Sequence, residues 1–201
     1  MKIKLSSTER KTCYQILAAL YIYPEQTLLD SLELCLDELS LSLNLPIPPE
    51  LKNSPELIDL EVAYTGLFIN RLGGAAAPPY GSVYLDVEAQ LMGTSSLQVA
   101  ESYRNEGLNM DGSDEPADFL STELEFLYYL VAAEEAAEAK QDSAAVSSWQ
   151  QKQAKFSREL FSPWVSVFSQ RVKQSDGGHP LYVWAADALQ KFSEQEQNHF
   201  S

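Results

Sequence analysis

Apolar positions three and four apart run through most of this chain, the periodicity of helices that bury one face. In "SSTERKTCYQILAALYIYP", Ser6 and Glu9 stand at capping-box spacing and predict a helix over about 7–22, closed by Pro24. Leu28, Leu32, Cys35, Leu39 and Leu43 form one stripe and predict a second helix over 26–43. A proline-rich connector, "NLPIPPELKN", follows. Ser54, Pro55 and Glu56 then offer a cap, a first-turn proline and an acid at the positive end of the dipole. They open a third helix lined by Leu57, Leu60, Tyr64, Leu67 and Phe68, which Gly73, Gly74 and "AAAPPYG" stop.

The pattern breaks at "PPYGSVYLD", residues 78–86. A strand-like run over 82–87 has no evident partner, and 86–92 reads as a short helix. Thr94 or Ser95 caps the next helix, and Gly107 ends it as a left-handed glycine. After the polar "LNMDGSDEPAD", a long helix is predicted over 116–140. Leu120, Leu124, Leu127 and Val131 make its core face; Phe119, Phe126 and Leu130 make a second apolar side. Further helices are predicted over 143–160, 163–174 and 180–196, with a polar, frayed tail "EQEQNHFS". No strand–helix–strand alternation occurs. The chain reads as all-α, a bundle of about eight or nine helices, with its best lobe boundary in the loop at 108–117.

Charge adds a direction to this picture. The 201 residues carry 29 acids against 14 bases, a formal charge of -15. Such a chain repels nucleic acid and anionic membrane, since both are polyanions. Arg104 is the one Lys or Arg within 72–139, a span with thirteen acids. Acidity of this kind usually serves solubility; a segment this poor in positive charge also suits a basic partner. Cys13 and Cys35 fall in apolar helical patterns and read as reduced core residues, which suits the cytoplasm. The start of the chain, broken by Gln15 and tyrosines, reads as an amphipathic helix rather than an export signal. No apolar run reaches membrane-spanning length, so no stable membrane insertion is expected.

Recognisable enzyme chemistry is scarce. His179 and His199 stand far from one another and from the cysteines, with no zinc spacing. Glu196 and His199 form a single Glu-x-x-His, whereas a di-iron bundle needs that pair on two helices. Phosphate-binding and nucleophile-elbow motifs are missing. Glu123 and Glu125 point to different helix faces and read as surface acids. No cofactor and no catalytic activity are expected. What remains is a stiff aromatic loop. Pro78 and Pro79 fix their own φ and restrict their neighbours, Gly81 permits a tight turn, and Tyr80 and Tyr84 offer flat faces with polar tips. It is either a preformed binding element or a rigid connector whose tyrosines cap the core.

Three stretches together carry a family resemblance. They are "YTGLFIN" (64–70), "APPYGSVYLDVEAQLMG" (77–93) and "EPADFLSTELEFLYYL" (115–130), in that order, followed by the aromatic "HPLYVWAADALQKF". The chain resembles the TorD/DmsD/NarJ-type chaperones, system-specific cytoplasmic chaperones of molybdoenzymes, over nearly its whole length. It departs at Phe119, where the family commonly has histidine after its hinge aspartate.

The resemblance implies a single all-helical domain with lobes over about 1–107 and 119–201, joined by a hinge at 108–118. It implies binding of a twin-arginine signal peptide and of the apoprotein of an exported molybdoenzyme before molybdopterin insertion, as a monomer or a segment-exchanged dimer. In that reading Glu115, Asp118 and Glu123 meet the arginines, and the apolar run lies on Leu67, Phe68, Tyr80, Tyr84 and Phe119. The loop frame, Pro78, Pro79, Gly81 and Ser82 with Tyr64 behind it, forms one wall of a groove; the hinge at Pro116 forms the other. Competing readings are a helical enzyme or metal protein with an unrecognised site, and a general adaptor without signal-peptide preference.

Overall fold

A computed structural model describes residues 5–51, 55–87, 91–110, 115–176 and 178–200. The described residues are helical and irregular, with no strand. Helix α1 (Ser7–Leu20) begins at Ser6, whose hydroxyl accepts from the Glu9 amide while the Glu9 carboxylate accepts from the Ser6 amide; the capping box read from the sequence is formed. Helix α2 (Gln26–Leu43) ends at Asn44 in the left-handed conformation. Helix α3 (Leu57–Tyr64) starts one residue after Glu56, later than expected, and continues as a wide π turn over Thr65–Ile69. Ser54, expected as its cap, lies outside the described residues.

The region 78–92 differs from its expected form. Residues 82–87 are not extended: Ser82–Leu85 coil into a single helical turn, α4. The expected helix over 86–92 is not helical at Asp86, Val87, Leu91 or Met92, and 88–90 lie outside the described residues. Helix α5 (Thr94–Asn105) is capped at Gly93 and closed by Gly107 at φ +76, as predicted for that glycine. Asp86 takes over the capping of α5, accepting from the Ser95 amide at 3.2 Å.

Helix α6 (Leu120–Ala139) begins later than expected, directly after Phe119, which is extended. Both of its predicted apolar sides are buried. Helices α7 (Ser143–Phe156) and α8 (Ser162–Gln174) join through a second wide turn, Ser157–Phe161. Pro163 accounts for that turn, because it has no N–H to continue a regular ladder. Helix α9 (Pro180–His199) runs through the tail expected to fray.

The reason lies in the core. Arg10 on α1 is 1% exposed and grips Glu196 through Nε at 2.8 Å and a terminal nitrogen at 2.7 Å. Tyr14 donates to the same carboxylate at 2.6 Å, and Glu134 and Gln153 complete the cluster on α6 and α7. A buried charge persists only when paired in this way, so the polar end of α9 is held as firmly as an apolar one. Around it α1 packs against α6, and α8 against α9. One apolar cluster draws on residues from both sides of 108–118, including Tyr21, Phe68, Tyr103, Leu127, Trp164 and Tyr182.

Candidate functional site

The two sequence elements that break the helical pattern meet in space. The Gly81 amide donates to the Asp118 carbonyl at 2.9 Å, and the Leu120 amide donates to the Pro79 carbonyl at 2.9 Å. Tyr80 and Phe119 therefore face one another as an isolated antiparallel bridge. The Asp118 carboxylate adds a third bond, accepting from the Ser82 amide at 2.7 Å through Oδ2. The loop and the hinge were expected to be opposite walls of a groove. Their backbones are instead joined directly, so any groove runs beside this clasp and not between its two strands.

Prolines prepare the loop side. Pro79 is buried and Pro78 half-buried, with φ restricted before any partner arrives. Ala77 donates to the Leu67 carbonyl at 2.8 Å and ties the loop to the wide turn after α3. Gly81 has φ -57, an ordinary helical value, so turn geometry does not require glycine. Space does: a Cβ there would lie 3.0 Å from Trp164 Nε1 and 3.2 Å from Glu123 Oε1.

The remaining expected site residues divide by burial. Tyr64, Leu67 and Phe68 are at most 5% exposed and belong to the core. Tyr64 donates to the Tyr21 carbonyl at 3.0 Å, and Phe68 stacks on Phe168 with ring centroids 5.9 Å apart. Glu123, expected on the surface, has no exposed area; its Oε2 accepts from Trp164 Nε1 at 3.3 Å. Asp118 is equally buried. Burial, and then the charge of Asp118, push the Glu123 carboxyl well above the usual carboxylate range, against the opposing pull of the indole bond. Pro116 accepts from the Phe119 amide at 3.1 Å and shapes the hinge. Phe119 packs its ring 5.6 Å from that of Tyr80, whose hydroxyl donates to exposed Glu115 at 2.9 Å. Burial first, and that carboxylate next, raise the Tyr80 phenol.

Three residues at the site were not singled out from the sequence. Trp164 stacks on Tyr84 at 5.6 Å, Arg171 lays its guanidinium 4.7 Å from the centre of the same ring, and Tyr103 donates to the Ala117 carbonyl at 2.8 Å. Trp164 and Arg171 arrive on α8, far along the chain, and no local pattern announces them. Outside the clasp, apolar side chains stand exposed around the turn from α4 into α5: Val87, Leu91, Met92 and Leu97, with Leu72 on the approach to the loop. Asp86, Glu101, Glu106 and Glu115 lie along the same stretch of chain.

This arrangement presents a prebuilt aromatic clasp and, among the described residues, no group of metal-binding side chains. The chain belongs to the nitrate reductase delta subunit family, whose model matches residues 25–170. The TorD/DmsD/NarJ-type membership expected from the three motifs is thus borne out, and so is the all-α fold. The chain is 28% identical over 138 residues to the perchlorate reductase assembly chaperone protein of Dechloromonas aromatica (strain RCB). That match spans 68% of this chain and 60% of the relative's length. A candidate redox enzyme maturation protein from Archaeoglobus fulgidus has a crystal structure similar to this fold at TM-score 0.60 and 26% identity, over 92% of this chain and 93% of the other.

Proposed function

We propose that this protein is a non-enzymatic assembly chaperone for a molybdenum-containing reductase or dehydrogenase. It binds the enzyme's twin-arginine signal peptide and apoprotein in the cytoplasm before molybdopterin insertion and export. The observation that carries this reading is the clasp of loop and hinge, set in a stretch of exposed apolar and acidic residues, in a chain of this family. A twin-arginine peptide has a basic region followed by an apolar run. Val87, Leu91, Met92, Leu97 and the partly exposed Tyr80 and Tyr84 offer it apolar surface. Burial there contributes about 25 cal/mol per Å².

The carboxylates divide differently from the expected scheme. Asp118 and Glu123 have no exposed area; Asp118 ties the clasp at Ser82, and Glu123 accepts from Trp164 behind it. Exposed Glu115 and Glu101 are left to meet the arginines. Exposed ion pairs contribute about 0.2–1 kcal/mol each, so charge orients the peptide more than it holds it.

The test is calorimetric titration with the twin-arginine peptide of a molybdoenzyme encoded beside this chain, and with a twin-lysine control. Salt-sensitive binding of the first over the second supports the proposal. Equal binding of both points to a general adaptor, and no binding by folded protein removes the signal-peptide role.

A further inference from the structure

The clasp contains two carboxyl groups without a cation. Asp118 and Glu123 are fully buried, and none of the ion pairs among the described residues involves either. Among the described residues, each has one oxygen served and one without a partner. Asp118 Oδ2 accepts from the Ser82 amide and Oδ1 has no hydrogen bond; Glu123 Oε2 accepts from Trp164 and Oε1 has none. Ser82 Oγ is a third buried polar atom without a partner. Two ionised carboxylates bring only acceptors to this place, and burying both charges away from water is unfavourable. A single proton changes the chemistry, because it removes one charge and supplies a donor.

We propose that Glu123 keeps its proton at neutral pH, and that this proton locks the loop to the hinge. When it leaves, two buried like charges stand against the same Gly81–Ser82 turn, and the clasp loosens. The strain falls on the loop directly, since the same aspartate holds the Ser82 amide by its side chain and the Gly81 amide by its carbonyl. Groups facing the pair leave the proton in place. Tyr103 from α5 and Tyr80 and Tyr84 from the loop are phenols raised by burial, hence neutral. Arg171 lies over the Tyr84 ring, and that ring stacks in turn on Trp164. Glu123 Oε1 lies 3.2 Å from the place of a Gly81 Cβ and is shut away from solvent, so its protonation state bears directly on the loop.

The direction follows from linkage. A carboxyl raised in the folded state binds its proton there but not in the unfolded chain. The stability this group contributes is therefore fullest at low pH and is lost as pH rises from about 4.3 through the folded value. The lock is distinct from peptide affinity and stands whether or not the client is a twin-arginine protein.

The test uses the full chain labelled with ¹³C at glutamate carboxyls, each assigned by correlation to its own backbone and titrated between about pH 4 and 9. In parallel, amide exchange is followed at Gly81, Ser82 and Leu120. The Glu123 resonance is expected to titrate well above the ordinary carboxylate range, and protection at those three amides to fall about ten-fold across the same step after correction for base catalysis. Glu123→Gln, which keeps a donor and cannot ionise, should hold protection level; Asp118→Asn should lower the Glu123 midpoint. A Glu123 midpoint in the ordinary carboxylate range overturns the proposal. So does loss of protection in Glu123→Gln that matches the wild-type protein step for step. Should either variant fail to fold, the wild-type titration decides alone.

Discussion

Gly81 and Trp164 contend for the same volume: the indole nitrogen stands 3.0 Å from the point a Cβ on Gly81 would occupy. This close approach, and not a left-handed backbone, is what reserves the position for glycine. Gly81→Ala is expected to destabilise the fold by about 1–3 kcal/mol, as overpacking of a fully buried site does. Gly66→Ala, with nothing within 4 Å of its Cβ, should be neutral or stabilising by up to about 1 kcal/mol. Urea denaturation of the two variants side by side checks the contrast.

Tyr80 divides into a hydroxyl and a ring. Tyr80→Phe removes only the bond to Glu115 and should cost no more than about 1.5 kcal/mol of stability. Tyr80→Ala also removes the ring packed on Phe119, and should lower signal-peptide affinity about ten-fold more than Glu115→Gln does. The Glu115→Gln effect should disappear at high salt because that carboxylate is exposed. Calorimetry at two ionic strengths separates the terms.

His179 caps α9 through Nδ1, which accepts from the Leu181 amide at 3.1 Å. Burial lowers its imidazole below the usual range, with Asp59 opposing. The unfolded chain therefore binds this proton at higher pH than the folded one. Stability from this group is full above about pH 6.5 and declines as pH falls through the lowered folded value. His179→Asn retains a capping acceptor and should remove this part of the acid dependence, whereas His179→Ala should cost about 1 kcal/mol at neutral pH. Denaturation midpoints over a pH series measure both.

Arg10 lies at the junction of α1, α6, α7 and α9. Arg10→Met leaves Glu196 and Glu134 buried without their cation and should cost about 3–5 kcal/mol. Adding Glu196→Gln should restore part of that loss, a non-additivity that a double-mutant cycle reads directly.

Much of the molecule was legible locally. The capping box at Ser6 and Glu9, the stripe of α2, the glycine stop of α5 and both apolar sides of α6 all follow from short-range spacing, which is why periodicity found them. The "SVYL" run misled because β-branched and aromatic residues alternate there as in a strand. Asp118 accepts from the Ser82 amide and Leu120 from the other side holds Pro79, so this segment coils into one turn at the clasp. The polar tail misled for a similar reason, since Arg10 and Tyr14, at the opposite end of the chain, make burial of Glu196 tolerable.

The sequence by itself determined the helical class, the acidic character, the stiffness of the proline loop and the family, because each depends on residue type and near-neighbour spacing. Tertiary structure decided what the loop touches, which carboxylates are buried and which face solvent, and why position 81 is glycine. Those depend on α8 and α6 bringing Trp164 and Glu123 against a loop remote in sequence, and such long-range contacts leave no periodic mark in the chain.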